Sequence, residues 1–459
     1  MIHDMAGRGP RDGARSRGGR AVRRAMAVCA MALSSCVPVA QGVAVPDAAA
    51  LPPVKRFTGA PAATPRHSRA ELARDFLDLT FALENGQDLP ILTRFEGPVT
   101  IAVERVGSTP LPPTLMPDLT ELIARLRAEA GIDIGQARPG EAASITVSVL
   151  PLRELQRVVP GAACFVVPRV AGWAAFRRAG RDRLDWTTLT ERRRATVVLP
   201  SDVPPQEIRD CLHEEVAQAL GPLGDLFRVP HSIFNDDNMH VVLTDRDMAL
   251  LRAAYDPRLR SGMTRAQVTA SMPTLLDRPA MPRPDAGGWA QAVRQAMDPA
   301  RSDRARTAAA KDAVRRAAST PDERLALSYL VLGRAALTRE PGTALDAFME
   351  AAARYRRLAG RGIHDAQIAT QLAAFALSSG DPDAALRTTD GAIPAADGAQ
   401  NAGVLATLLL LRAEALDLKG QSPMAARVRR EGLAWGRYAW GDGGVGARAA
   451  EVAALAPGA

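Results

Sequence analysis

The sequence predicts an α+β domain followed by an all-α domain of helical repeats. Between residues 67 and 265, short alternating apolar runs bounded by Gly and Pro are interspersed with segments of helical spacing, which is typical of strands and helices in one domain. From 285 to 459 the chain is rich in Ala, has helical periodicity and contains almost no strand pattern. With 459 residues, the chain is also too long for a single core of ordinary size.

Residues 1–35 are predicted to form a signal peptide. Seven arginines precede a short apolar run, Ala25 to Leu33, as in a bacterial secretory leader. The residues Leu33-Ser34-Ser35-Cys36 fit a lipobox, so we expect lipidation of Cys36 and a lipid anchor in the cell envelope, with the protein facing the periplasm. The alternative is a plain signal cleaved near Ala40, which would give a soluble periplasmic protein.

Residues 36–66 are rich in Pro, Ala and Val and are predicted to form an extended tether. Removal of the leader takes away seven Arg and two Asp, so the formal net charge falls from +8 to +3. The remaining basic residues are scattered among acids, and no nucleic-acid partner is expected. No apolar run approaches the ~20 residues that a membrane-spanning helix needs.

Several elements of the α+β domain are delimited by clear start and stop signals. The helix that begins with the prolines at 204 and 205 ends at Gly221, and the helix after Thr244 has a good N-cap. The segment 266–284 carries Pro and Met and is predicted to be a linker. The predicted elements are helices at 69–78, 114–131, 204–221 and 244–256, and strands at 94–106, 144–151, 164–168 and 194–200.

An internal repeat predicts helix-turn-helix units in the domain from 285 to 459. Ala-Leu pairs begin at residues 336, 376 and 415, and a Gly- or Pro-containing turn follows each pair. This pattern resembles tetratricopeptide repeats, although its period is longer than their usual ~34 residues. The alternative is an ordinary helical bundle.

Two cysteines remain beyond the lipidation candidate, Cys164 and Cys211. In an oxidising compartment we expect them to form a disulfide, which would stabilise the fold by about 4 kcal/mol. The alternative is a pair of buried thiols.

The segment EEVAQALG, from Glu214 to Gly221, resembles the HExxHxxG helix of zincin metalloproteases. In this frame Glu214 and Gln218 take the places of the two zinc-binding histidines, and Glu215 takes the place of the general base. Ten residues beyond Gly221, HSIFND resembles part of the metzincin Met-turn, with Phe in place of Met. The resemblance implies a degenerate metalloprotease, because the zinc ligands are exchanged while the glutamate is retained.

The exchanged residues change the metal that the motif helix could bind. Residues 214 and 218 lie on one helical face, and Asp225 is a possible third ligand. All three offer oxygen, which suits Ca²⁺, Mg²⁺ or Mn²⁺ better than zinc. A divalent cation at Glu214, Gln218 and Asp225 is therefore a possible cofactor, and no metal is the favoured expectation.

Histidines offer a different hypothesis for a metal site. His213, His231 and His240 fall within 28 residues and could form an unorthodox zinc site. A frame that starts at His213 places Ala217 at the second ligand position and so fits less well than the frame at Glu214. Such histidines are more often surface or supporting residues.

The turn after the motif helix also carries polar residues, namely Ser232, Asn235, Asp236 and Asp237. The favoured interpretation is an Asx-type turn that positions the loop, and the alternative is a polar or ion site shared with Glu215. Several carboxylates buried together would need a compensating charge. The candidates for this role are Arg94, Arg209 and Arg228.

The two motifs together resemble a family of proteobacterial lipoproteins of unknown function, with EExxQxLG and SIFND as hallmarks over residues ~70–262. The resemblance implies an extracytoplasmic protein and no particular activity. We expect a catalytically inactive zincin-like domain that binds a protein or peptide partner in the periplasm. The alternatives are an atypical peptidase or hydrolase that depends on Glu215, with or without a metal, and a structural scaffold.

Overall fold

The computed structural model describes residues 51–65, 67–229, 231–235, 237–276, 288–319, 323–359 and 362–456. It confirms the predicted fold class, since a mixed sheet with helices is followed by a region that is all helical. The predicted signal peptide and Cys36 lie outside the described residues. Among the helices of the described ranges, none combines the length and the apolar character that crossing a bilayer requires.

The α+β region contains seven helices and five strands in the described residues. The helices are α1 (Arg69–Thr80), α2 (Leu115–Ala130), α3 (Leu152–Gln156), α4 (Trp173–Arg178), α5 (Pro205–Leu220), α6 (Asp245–Ala254) and α7 (Arg265–Leu276). The strands are β1 (Val99–Arg105), β2 (Ile134–Gln136), β3 (Ile145–Leu150), β4 (Phe165–Pro168) and β5 (Ala195–Pro200). Two short 3-10 turns, Arg181–Leu184 and Trp186–Thr188, precede β5.

The strands form one sheet in the order β2-β1-β3-β5-β4. Neighbouring strands are parallel except for β4, which runs antiparallel to β5 at one edge. Every residue of β5 is buried, as expected of a strand covered on both faces. The sequence predicted four of the five strands and missed β2, because three residues are too few to show an alternating pattern.

Helix α5 carries the EEVAQALG motif and packs against the sheet through Leu212, Val216 and neighbouring apolar residues. Cys211 on this helix forms the predicted disulfide with Cys164, just before β4, and their Cα atoms are 5.9 Å apart. The bridge therefore ties the motif helix to the antiparallel edge strand.

The predicted linker at 266–284 needs a correction. Residues Arg265–Leu276 form α7, and two of its side chains, Val268 and Met272, are fully buried in the core of the α+β region. The sequence shows little helical periodicity here, because only a narrow stripe of α7 faces the core and polar residues lie between its apolar positions. The α+β region therefore extends about ten residues beyond its predicted end.

The helical region consists of antiparallel hairpins. Its helices are α8 (Trp289–Met297), α9 (Asp303–Ala317), α10 (Glu323–Ala336), α11 (Pro341–Ala359), α12 (Ile363–Ser378), α13 (Pro382–Gly398), α14 (Ala402–Leu418) and α15 (Ser422–Ala453). The three Ala-Leu pairs lie at the ends of α10, α12 and α14, which supports the predicted helical repeat. Gly333 allows α10 and α11 to pack closely, since a Cβ atom there would lie 2.5 Å from the Phe348 ring.

The second half of the predicted tether, residues 51–65, is extended but lies against the helical region. Phe57 is buried and stacks on Trp435 with ring centroids 4.1 Å apart. The Lys55 ammonium lies 2.8 Å from the Glu431 carboxylate, and the Ala62 amide donates to the Gly398 carbonyl. This segment therefore connects the start of the α+β region to the last repeats.

Candidate functional site

The C-terminal end of the motif helix is held by a buried arginine. Arg192 donates hydrogen bonds to the carbonyl oxygens of Gln218, Ala219 and Gly221, which have no partner within the helix. Burial lowers the pKa of Arg192 to about 10. Arg192 could not be predicted from the sequence, because it lies 26 positions before Gln218 and such a distant contact leaves no periodic or motif signal.

The motif helix brings a carboxylate into an acidic cluster. One carboxylate oxygen each from Glu84, Glu214 and Asp225 lies within 4.8 Å of the other two. The sequence had placed Glu214 and Asp225 together as possible ligands of a cation. Glu84 was missed, because it comes from the loop after α1, far away in the sequence.

Gln218 supports the cluster through its amide and not as a member of it. Its Nε2 atom donates a hydrogen bond to the Oε1 atom of Glu84 at 3.0 Å. Glu214 and Gln218 therefore have different roles: Glu214 contributes a carboxylate, and Gln218 positions Glu84.

Glu215 follows Glu214 on the motif helix and is only 6% exposed. Its Oε2 atom has no hydrogen-bond partner in the described part of the chain. Burial, followed by the charges of Glu84 and Asp225, raises the pKa of Glu215 well above its ordinary value. We call Glu84, Glu214, Glu215 and Asp225 the acidic pocket.

Other carboxyl groups on the motif helix are shifted in the same direction. Burial, and then the charge of Glu215, raises the pKa of Glu214 well above the ordinary value. One turn earlier, burial and the charge of Glu207 raise the pKa of Asp210 to about 7. Burial therefore opposes ionisation of each of these carboxyl groups.

None of the three arginines proposed as compensating charges pairs with the acidic pocket in the described residues. Arg94 bonds to Glu96 and to backbone carbonyls, while Arg228 pairs with Asp75 and Asp78. Arg209 acts electrostatically on Asp118. Arg94 is engaged by a carboxylate two residues away, whereas Arg209 and Arg228 act on carboxylates that are distant in sequence.

Side-chain hydrogen bonds hold the turn after the motif helix. The Asp237 amide donates to the Oδ1 atom of Asn235 at 3.1 Å, which closes an Asx turn. The Ser232 hydroxyl and the Ile233 amide both donate to the carboxylate of Asp247 at the start of α6. Asp236 lies outside the described residues.

The aromatic residue of the turn also belongs to the framework. Phe234 is completely buried. Its amide donates to the Ser232 hydroxyl, and its carbonyl accepts from the amide of Leu226. The turn is therefore packed close to the loop that carries Asp225.

The predicted grouping of His213 with His231 and His240 is wrong for His213. The Nδ1 atom of His213 accepts a hydrogen bond from the Leu243 amide, and no ring contact links it to the other two in the described residues. His231 and His240 are neighbours, with ring centroids 6.1 Å apart. They meet His364 of α12, whose sequence position offered no signal of this contact.

Comparison with known proteins finds a similarity for the α+β region. Residues 69–274 match the model of a family described as a protein of unknown function, DUF2927. The matched range starts at α1 and ends within α7, so the helical region lies outside it. No curated protein matches the chain. The α+β region of this protein is thus similar to a domain family without an assigned activity.

Proposed function

We propose that this protein is a lipid-anchored binding protein of the cell envelope, in which a zincin-like domain has lost peptidase activity and captures a protein or peptide partner. The order of elements supports the zincin-like assignment, because a strand, a helix and several short strands precede the motif helix. The position of Phe234 in a buried turn near Asp225 supports it as well. The helical repeats add an extended surface of the kind that binds proteins.

The burial of Glu215 is the main support for the proposed loss of catalysis. A general base must be ionised near the working pH and must reach the water molecule that it activates. Glu215 is buried, and the direction of its pKa shift opposes the ionised form that a general base needs. A zincin mechanism would also need nitrogen ligands that Glu214 and Gln218 do not supply.

The acidic pocket indicates the chemistry of the partner. Its carboxyl groups repel one another when ionised, so a positive charge that enters the pocket would stabilise their ionised forms. Glu84 is exposed and gives the pocket contact with solvent. An arginine or lysine side chain of a peptide partner has the charge and the hydrogen-bond donors to pair with these oxygens.

Fluorescence anisotropy with two labelled peptides tests this proposal. One peptide is alanine-based with a central arginine, and the other has neutral citrulline in its place. We expect the arginine peptide to bind at least tenfold more tightly, and we expect this preference to disappear in a Glu84→Gln/Glu214→Gln variant. Glu141→Gln, an exposed carboxylate of the same region, is the matched control and should bind as the wild type does. Equal binding of both peptides, or binding of neither, would reject the proposal.

A second candidate function is an atypical metal-dependent hydrolase. The close approach of the Glu84, Glu214 and Asp225 oxygens favours it, because carboxylate oxygens suit Ca²⁺, Mg²⁺ or Mn²⁺. Metal analysis by mass spectrometry, on protein purified without chelator, compares the wild type with a Glu214→Ala/Gln218→Ala variant. Stoichiometric metal that is lost in the variant, together with peptide hydrolysis that is lost in Glu215→Gln, would replace the binding proposal.

The envelope location rests on the leader and can be tested separately. We expect intact-mass analysis to show a lipid on Cys36 and membrane fractionation to retain the protein. Cys36→Ser should release it, while Cys29→Ser, in the same leader, should not. A wild-type protein without lipid would favour cleavage near Ala40 and a soluble periplasmic form.

A further inference from the structure

The part of the α+β region that contains α3, α4 and the 3-10 turns is strongly basic. Residues 152–194 contain ten arginines and four acidic residues, a net charge of +6. Residues 36–459 together carry only +3, so the rest of the chain beyond the predicted leader has a net charge of −3. The positive charge is therefore concentrated in one short stretch, although basic and acidic residues are mixed elsewhere.

Most of these arginines lie at the surface, since eight of the ten are exposed. Arg192 is buried, and Arg193 pairs with Glu191. In the described part of the chain, no ion pair engages five of the exposed arginines. We call these five the basic surface; they are Arg153 and Arg157 at α3, Arg177 and Arg178 at the end of α4, and Arg194 before β5.

The acidic residues of the stretch do not neutralise this surface. Asp185 accepts hydrogen bonds at 2.8 and 2.7 Å from the amide and the hydroxyl of the threonine two residues later. Glu191 is engaged with Arg193 at 2.8 Å. Only Glu154 and Asp182 remain to offset five guanidinium groups. An excess of positive charge therefore faces the solvent.

The basic surface lies on the face of the sheet opposite to the motif helix. Val198 of β5 packs in one apolar cluster with Leu155 of α3 and Phe176 of α4. Its neighbours in the strand, Val197 and Leu199, pack in the core that includes α5. Successive residues of a strand face opposite sides of the sheet. The sheet therefore separates the basic surface from the part of the acidic pocket on α5.

The segment 51–65 begins close to α3. Arg437 of α15 donates a hydrogen bond to a backbone carbonyl at the start of this segment. One turn further along, α15 passes beside Pro204. The Asp202 carboxylate, two residues earlier, accepts a hydrogen bond of 2.7 Å from the Leu152 amide at the start of α3. Short contacts thus connect the beginning of the described chain with the helix that opens the basic surface.

We propose that the basic surface docks on an anionic phospholipid bilayer, as a second attachment beside the lipid anchor. Guanidinium groups form paired hydrogen bonds with phosphate oxygens, and clustered basic residues are attracted to anionic lipid headgroups. This attraction decays over about 8–10 Å at physiological ionic strength, so the surface must be held near the membrane to act.

The lipid anchor of the proposed function would supply that proximity, and the inference rests on the proposed function in this respect. Fifteen residues separate Cys36 from Leu51, and even a fully extended chain of this length spans no more than about 50 Å. A lipid chain combined with a basic patch binds a membrane more firmly than either alone. The basic surface alone binds reversibly, so Cys36→Ser should still be released on fractionation.

Docking in this orientation would also serve the capture of a partner. The motif helix lies on the opposite face of the sheet, so the acidic pocket would be directed away from the bilayer. Its carboxyl groups would then avoid the anionic headgroups, which repel like charges. A basic peptide could reach the acidic pocket while the protein stays at the membrane.

Vesicle co-sedimentation of residues 37–459, which lack the lipidated cysteine, tests the docking without the anchor. One set of vesicles contains about 30% phosphatidylglycerol in phosphatidylcholine, and the other is pure phosphatidylcholine. We expect at least tenfold stronger partitioning into the anionic vesicles at about 50 mM salt, and a loss of this preference at about 500 mM salt because of screening.

An Arg157→Gln/Arg177→Gln/Arg178→Gln variant should reduce the partitioning into anionic vesicles at least tenfold. The matched control, Arg304→Gln/Arg357→Gln/Arg430→Gln, removes three exposed arginines of the helical region and should partition as the wild type does. Both variants should bind the arginine peptide as the wild type does, so the result is separable from that for the acidic pocket.

Three outcomes would overturn the proposal. One is equal partitioning of the wild type into both kinds of vesicle, and another is an equal loss in both triple variants, which would make net charge the cause. The third is binding of soluble polyglutamate, with the same dependence on the arginines, and of no vesicle, which would assign the basic surface to an acidic polymer.

Discussion

The acidic pocket is partly buried, and the histidine cluster, formed by the rings of His231, His240 and His364, is buried. Burial shifts the pKa of a carboxyl group and that of an imidazole in opposite directions. In the acidic pocket, burial and like charges raise the pKa of Glu214 and Glu215. In the histidine cluster, burial, followed by electrostatic interaction with His364 and His240, lowers the pKa of His231 to about 2. Both shifts favour the neutral form. The comparison teaches that the same cause, loss of solvation, raises the pKa of a carboxyl group in one site and lowers the pKa of an imidazole in the other.

The two sites also differ in the elements that build them. Most of the acidic pocket comes from the motif helix and the loop that follows it, so a short stretch of sequence contains three of its four residues. The histidine cluster needs α12 of the helical region. Its existence therefore depends on how the two regions dock.

The largest expected effect on the free energy of unfolding comes from the disulfide between Cys164 and Cys211 of the motif helix. A Cys164→Ala/Cys211→Ala variant should lose about 4 kcal/mol of unfolding free energy, because the bridge closes a 47-residue separation. Chemical denaturation measures the loss. Hydrogen exchange should show reduced protection in α5 and little change in α12. Equal loss in both helices would mean that the two sites share one cooperative unit.

The second prediction concerns Asp118, a buried carboxyl group with arginines near it, and the pH dependence of the unfolding free energy. Burial raises its pKa to about 6, against the opposing charges of Arg209 and Arg56. The unfolded chain releases this proton near pH 4, so the unfolding free energy should fall as pH rises from about 4 to 6, by up to about 3 kcal/mol. Asp118→Asn should remove this part of the pH dependence. Identical pH profiles for the two proteins would show that the arginines compensate the charge fully.

Asp237→Asn tests the bonded carboxylate of the histidine cluster. We expect a loss of about 2 kcal/mol, because a charge-assisted hydrogen bond to His364 is weakened in a buried site. Asp312→Asn, at an exposed ion pair with Arg316, is the control and should change stability by less than about 0.5 kcal/mol. If both variants lose equally little, the Asp237 to His364 bond contributes no stability.

Glu215→Gln should give the smallest effect, and one of opposite sign. The folded state resists ionisation of Glu215, so glutamine should stabilise the protein at pH 8 by about 1 kcal/mol and make no difference at pH 4. Denaturation at the two pH values measures this. A destabilised variant at pH 8 would indicate that ionised Glu215 pairs with a cation, and the acidic pocket would then resemble the histidine cluster.

The sequence by itself determined the elements that depend on local signals. Spacing, capping and composition predict the α+β region and the helical region with its repeats. They also predict the motif helix between the prolines and Gly221, the Asx turn and the disulfide. The pairing of Glu214 with Asp225 was also predictable, since both lie close to the end of one helix. Strand β2 and helix α7 were not predicted, because a three-residue strand and a helix with a narrow buried stripe show little periodicity in the sequence.

Only the tertiary structure decided which distant groups meet. Glu84 joins the acidic pocket, Arg192 caps the motif helix, and His364 completes the histidine cluster. Each contact spans a long sequence separation and depends on how α1, the sheet and α12 pack around the motif helix. Packing of apolar surfaces sets these positions, and the polar groups meet as a consequence. A sequence pattern records the periodicity within each element, and the distances between elements arise when those surfaces come together.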